Sequence, residues 1–138
     1  MLYLDSSAIV KLILEEPESD ALSRAIRGAT RLSSELALAE VPRGVARGAA
    51  SGPPDEFRRL VVAAEAMVAR LALVELTRAV LTDAATIGPR RLRTLDAIHV
   101  ASARSLGHSL GSFVSYDGRQ LEAASKTGLP VLSPGAGG

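Results

Sequence analysis

The sequence predicts an α/β domain, with one central parallel sheet of five strands flanked by helices on both faces. Three observations predict it. Short apolar runs of strand length alternate with helical patterns along the whole chain, the arrangement that returns parallel strands through crossover helices. The 138 residues are enough for one core and too few for two ordinary domains. Hydrophobic residues make up 47% of the chain and charged residues 22%, whereas a disordered chain needs the reverse balance.

The elements follow in order. Leu2, Tyr3 and Leu4 read as a buried strand that runs into Asp5-Ser6-Ser7, a helix cap, and residues 8–14 continue as a nearly all-apolar helix. Residues 18–28 form an amphipathic helix with Leu22, Ala25 and Ile26 on one face and Gly28 as its stop. Residues 30–33 are the second strand, and Ser34 caps a helix over 35–47. Residues 48–54, rich in Gly, Ser, Pro and Ala, are the clearest loop. Asp55 caps the next helix, whose stripe is Phe57, Leu60, Val61, Ala64 and Val68, and residues 71–76 are the third strand. Thr77 caps a helix to about Thr86, and residues 87–93 form a basic connector carrying Arg90, Arg91 and Arg93. Residues 95–106 are helical, 112–115 the fourth strand, 120–127 a helix with Gly128 as C-cap, and 129–132 the fifth strand. Neither a repeat nor a linker interrupts the pattern. A single domain is expected over residues 1–133, with a small-residue tail over 134–138 expected to fray.

Composition excludes several classes of function. Sixteen basic and 15 acidic residues leave a net charge of +1, so the chain is no polybasic binder and any grip on nucleic acid rests on local Arg placement. Cysteine is absent, which removes disulfides, thiolate zinc sites, iron–sulfur clusters and cysteine nucleophiles. His99 and His108 are the only histidines, and Tyr3, Phe57, Phe113 and Tyr116 the only aromatics, too few for a base-stacking platform. Any metal chemistry must therefore use oxygen ligands, which favours magnesium or manganese. The chain contains no apolar run of membrane-spanning length and no secretion signal, so a cytoplasmic protein without a membrane partner is expected.

In a parallel sheet, function gathers in the crevice beyond the C-terminal strand ends. Asp5 directly follows the first strand and Asp117 the fourth, Asp96 lies in the first turn of the helix after the basic connector, and Glu40 lies in an otherwise apolar stretch of the 35–47 helix. Taken singly, Asp5 and Asp117 read as caps, Asp96 as a complement to a helix dipole, and Glu40 as a solvated partner of Arg43 or Arg47. Taken together they form an acidic cluster. Two such charges about 4 Å apart repel by roughly 4 kcal/mol at an effective dielectric near 20. A divalent cation converts that cost into affinity and can activate a water against a phosphodiester. A receiver-type phosphoacceptor fits poorly, since one acid follows the first strand and Lys126 precedes the last. A haloacid-dehalogenase-type phosphatase fits poorly too, since Ser7 stands where its second aspartate belongs.

Four segments carry a resemblance that covers essentially the whole chain: Leu2-Tyr3-Leu4-Asp5-Ser6-Ser7-Ala8, Ser34-Glu35-Leu36-Ala37-Leu38-Ala39-Glu40-Val41, Leu95-Asp96-Ala97-Ile98-His99-Val100-Ala101-Ser102-Ala103, and Ser115-Tyr116-Asp117. In this order they resemble the PIN-domain family, specifically VapC-type ribonuclease toxins of toxin–antitoxin pairs. The resemblance implies a three-layer fold around a parallel five-stranded sheet. It also implies a Mg²⁺-dependent endoribonuclease (Mn²⁺ being the alternative) that leaves a 5′-phosphate and a 3′-hydroxyl.

Asp5, Glu40, Asp96 and Asp117 match the family's acidic quartet. The resemblance implies that Asp5 and Asp96 hold the metal most directly, that Glu40 completes the shell or acts through a water, and that Asp117 holds a water or a second ion. Ser6 and Ser115 match small hydroxyl positions suited to binding ligand or water. Arg90, Arg91 and Arg93 are candidates to hold substrate phosphates, because the guanidinium donates in pairs. His99 reads as a packed, hydrogen-bonded core residue, and Lys11 as structural or superficial. A homodimer with a groove for a VapB-like antitoxin is implied as well. A housekeeping RNA-processing nuclease and a non-catalytic PIN-like interaction domain are the alternatives. One departure from the family pattern is Pro42, close to Glu40 and expected to kink its helix.

Overall fold

The computed structural model describes residues 1–137; Gly138, the last residue of the expected tail, lies outside the described residues. The strands are β1 (Leu2–Leu4), β2 (Arg31–Ser34), β3 (Ala72–Val74), β4 (Ser112–Val114) and β5 (Val131–Leu132). The helices are α1 (Ser6–Ile13), α2 (Ser19–Ala25), α3 (Ala37–Ala49), α4 (Pro54–Ala69), α5 (Arg78–Ala84), α6 (Thr94–Arg104) and α7 (Gly118–Lys126). The five strands form one sheet in the order β3-β2-β1-β4-β5, and every pairing is parallel. This is the α/β architecture expected from the alternating pattern.

Strand periodicity sorts the core into layers. Tyr3 registers with Phe113 and Leu32 and faces one side, where Val100 and Ala103 of α6 and Ala124 of α7 cover them. Leu4 registers with Val114 and faces the other side, covered by Ala8 and Ile9 of α1, Leu22 of α2, Val41 and Val45 of α3, and Ala64 and Val68 of α4. A smaller cluster joins Val80 and Ala84 of α5 to Ala97, Ile98 and Ala101 of α6. Among the described residues, no helix is long and apolar enough to cross a membrane.

Several boundaries differ from the sequence reading. The helix after β2 starts at Ala37 rather than residue 35, because Ser34 stays in the strand and its hydroxyl accepts the Leu36 N–H at 3.1 Å. That helix also runs to Ala49, into the predicted loop. Gly44 and Gly48 are there to let α3 approach α1: a Cβ on Gly44 would lie 3.0 Å from Val10 Cγ2, and one on Gly48 would collide with Leu14 Cδ1. The following helix starts at Pro54, with Pro53 at the cap, so Asp55 is a first-turn residue paired with Arg58 rather than the cap. Thr77 caps α5 as expected, its Oγ1 accepting from the Val80 N–H at 3.2 Å.

Pro42 does not break α3. It has no N–H to offer the Leu38 carbonyl, but Leu38 is 57% exposed, where water can serve that carbonyl. At the C-terminal end the Tyr116 hydroxyl donates to the Pro134 carbonyl at 2.7 Å.

Phe113 is fully buried and stacks on Tyr3 with 5.4 Å between ring centroids. Phe113→Ala is expected to cost about 3–5 kcal/mol. Urea denaturation should show a lower midpoint with an unchanged m-value.

Candidate active site

The strand order reverses direction between β1 and β4, which makes the C-terminal end of that pair the topological switch point. Asp5 leaves β1 there, its N–H donating to the Val114 carbonyl of β4 at 3.0 Å. A cleft of about 600 Å³ opens at this point and is lined by Asp5, Ser6, Ser7, Val10, Lys11, Glu16, Glu40, Gly44, Arg47, Arg93, Asp96, His99, Tyr116, Asp117 and Gln120. All four acids singled out in the sequence therefore meet in one cleft, from β1–α1, α3, α6 and β4–α7.

Asp5 is 3% exposed and every carboxylate oxygen has a partner. Oδ1 accepts from the Ser7 hydroxyl at 2.7 Å and the Ala8 N–H at 2.8 Å, so Asp5 also caps α1. Oδ2 accepts from the Ser115 hydroxyl at 2.6 Å. Burial pushes the Asp5 carboxyl up, against the opposing influence of the His99 imidazole, the Ser115 and Ser7 hydroxyls and the Ala8 N–H. Asp117 likewise has two roles. Its Oδ1 caps α7 by accepting from the N–H groups of Arg119 at 2.9 Å and Gln120 at 3.3 Å, while Oδ2 faces Arg93 at 3.6 Å.

Glu40 does not pair with Arg43 or Arg47, as its isolated reading suggested. Its Oε1 accepts from the Ser6 hydroxyl at 2.8 Å and lies 2.6 Å from His99 Nε2. Burial pushes the Glu40 carboxyl up, but the His99 hydrogen bond and charge, the Ser6 hydroxyl and the Arg93 guanidinium outweigh it, and the net shift is downward. Asp96 is tied to its neighbour on the same helix end, Arg93 Nε donating to Oδ2 at 3.0 Å. The guanidinium of Arg93 thus spans Asp96 and Asp117, and both acids hold it more firmly protonated.

The remaining candidates separate. Ser6 lines the cleft, whereas Ser115 is fully buried and spends its hydroxyl on Asp5. Arg93 lines the cleft; Arg90 lies instead on a separate groove with Leu81, Ile87 and Ile98, and Arg91 lines neither. Arg47, read from sequence only as a partner of Glu40, stands in the cleft, and with Arg43 it lines an adjoining groove that also holds Leu36, Ala39 and Leu95. Helical spacing could have found Arg47, since position i+7 from Glu40 lies on the same face. Lys11 is mostly buried, ion-paired to Glu16 and Glu18 and lying 4.6 Å above the Tyr116 ring. Nothing in the sequence marked Gln120, whose Nε2 donates to the Asp96 carbonyl at 3.3 Å.

The PIN domain sequence profile matches residues 2–126. The chain belongs to the PIN-domain family. Its curated relatives are of the VapC type. Ribonuclease VapC46 of Mycobacterium tuberculosis is 44% identical over 96% of this chain and 97% of its own length. Ribonuclease VapC47 of the same species is 37% identical over 99% and 98%, and Ribonuclease VapC35 is 37% identical over 98% of each.

The donor chemistry of this PIN-domain cleft fits a hard divalent cation: carboxylates and hydroxyls, with no thiolate. The side chains stand apart, however. Among the described residues, no three His, Asp or Glu side chains are grouped closely enough to hold an ion as they stand. Their own partners hold them, and Arg93 supplies the positive charge between Asp96 and Asp117.

A stability prediction follows from Asp5. A raised carboxyl pKa in the fold favours the protonated form. Its contribution to stability is complete below roughly pH 4 and is lost as pH rises through the raised value. At neutral pH the buried carboxylate is therefore a cost. Asp5→Asn keeps the Oδ1 contacts, and its amide can donate to the Ser115 hydroxyl, which can turn to Gln120 Oε1 3.0 Å away. The variant is expected to melt a few degrees above the wild type at pH 7 without metal, with the gain vanishing below pH 4, as read by calorimetric scans across that range.

Proposed function

We propose that this protein is a metal-dependent endoribonuclease, Mg²⁺ being the expected cation and Mn²⁺ the substitute, acting as the toxin of a toxin–antitoxin pair. The observation that carries the reading is the meeting of Asp5, Glu40, Asp96 and Asp117, distant in sequence, in one solvent-open cleft at the sheet's switch point. Membership of the PIN-domain family and full-length relatives named VapC ribonucleases support it. By the same likeness, a VapB-like antitoxin that covers the cleft and a homodimer are part of the proposal.

Asp5, Asp96, Glu40 and Asp117 would hold the cation. When bound, it supplies charge stabilisation for a phosphodiester and a more acidic water. Glu40 has Oε1 committed to Ser6 and His99, which leaves Oε2 to hold or deprotonate a water. Arg93 is 74% exposed at its side chain and can exchange its carboxylates for a substrate phosphate. Arg47 and Arg43 continue basic charge along the adjoining groove, where an RNA backbone would run. Ser115 and Ser7 keep the Asp5 carboxylate in place.

The deciding assay is cleavage of structured and unstructured RNAs. Activity is expected with Mg²⁺ and is expected to vanish with chelator and in Asp5→Asn. Glu40→Gln should lose roughly 10²–10⁴-fold in kcat. Cleavage that survives both chelation and Asp5→Asn would overturn the assignment. Arg93→Ala should separate two parameters: the Mg²⁺ concentration for half-maximal rate falls because a competing cation is gone, while KM for RNA rises. An unchanged or lower KM would remove Arg93 from substrate binding.

A further inference from the structure

Glu40 sits on a helix that does little to orient it. No side chain of the N-cap residue Leu36 caps α3, and Pro42 deprives the same stretch of a backbone bond. Its carboxylate is nevertheless held by two contacts on one oxygen, Ser6 Oγ at 2.8 Å and His99 Nε2 at 2.6 Å. His99 is 2% exposed, and its other nitrogen, Nδ1, lies 2.7 Å from the Tyr3 hydroxyl. Tyr3 is itself fully buried in β1, stacked on Phe113 of β4 and edge-on to the His99 ring at 5.9 Å. A continuous hydrogen-bonded chain thus runs from the centre of the sheet through α6 to the one acid of the cleft that comes from α3.

The proton order along this chain follows from the groups. An ionised carboxylate only accepts, so Nε2 of His99 carries a proton toward Glu40. The Tyr3 hydroxyl holds the other side of the ring, 2.7 Å from Nδ1. A phenol keeps its proton at neutral pH, so the Tyr3 hydroxyl is available for this contact. Because His99 and Ser6 both occupy Oε1, Oε2 is the oxygen left to face the cleft.

We propose that His99, held at Nδ1 by Tyr3, is a positioning residue that fixes the Glu40 carboxylate and leaves one oxygen directed to cation or water. The proposal deepens the nuclease reading and rests on it for its catalytic consequence, but the relay itself can be read without RNA. His99 touches neither substrate nor the reacting atoms and acts through Glu40. Partners of this kind, when removed, typically cost 10–100-fold in metal affinity or activity.

Two readouts test it. The ¹⁵N resonances of His99 in the metal-free protein should show Nε2 protonated, and Tyr3→Phe should shift the Nδ1 resonance by removing its hydrogen-bond partner. An unprotonated Nε2 in the wild type, or an unmoved Nδ1 resonance in Tyr3→Phe, overturns the relay. Mn²⁺ affinity, followed by paramagnetic resonance, should weaken about 10–100-fold in His99→Phe and recover most of that loss in His99→Gln, whose amide can stand in for Nε2–H. Equal affinity in the wild type and a folded His99→Phe overturns the proposal, as does a His99→Gln no better than His99→Phe. If His99→Phe fails to fold, Tyr3→Phe against wild type carries the affinity comparison, with a weakening expected and none overturning it. Wild-type protein that shows the Nε2 proton but cleaves no RNA would sink the nuclease reading and leave the relay standing.

Discussion

The carboxylate of Asp5, buried where β1 and β4 end side by side, is the constraint on which the rest of the molecule depends. It caps α1, accepts from Ser115 of the neighbouring chain segment, and stands at the switch point of the sheet. Those contacts hold two strand ends and a helix start in one fixed relation. They leave the ionised form with fewer water contacts than a carboxylate prefers, which is why burial dominates its protonation. A group of this kind is costly to the resting fold at neutral pH.

The cleft around it is balanced rather than simply acidic. Asp5, Glu16, Glu40, Asp96 and Asp117 share it with Lys11, Arg47 and Arg93. Lys11 is committed to Glu16, Glu18 and the Tyr116 ring, and it fastens the α1–α2 connection to the segment after β4. Arg47 and Arg93 are the exposed cations of the set, and Arg93 is the one paired to Asp96 and Asp117. The arrangement keeps acids that would otherwise repel one another within a single cleft, while no three of them among the described residues close on one point.

The fold was legible because its signals are local and periodic. Alternation of apolar runs with helical stripes named the elements, and Asp5, Thr77 and Asp117 mark three helix starts by cap chemistry that needs only nearby residues. The misread boundaries have separate causes. Gly48 looks like a loop former when only neighbours in sequence are considered, but α3 uses it to approach Leu14 beside α1. Asp55 looks like a cap, but Pro53 and Pro54 already set the entry angle.

By itself, then, the sequence determined the layered parallel sheet, the absence of thiolate donors and the acids placed at strand and helix ends, because those follow from residue type and short-range spacing. Tertiary structure alone decided which side chains meet: that Glu40 answers to His99 and Ser6 instead of Arg43, that Arg93 reaches the cleft while Arg90 lies on another groove, and that Arg47 and Gln120 join it. Such partnerships join residues up to 110 positions apart, as Asp5 and Ser115 are. They arise only once the sheet has fixed where each helix begins and which of its faces turns toward the others.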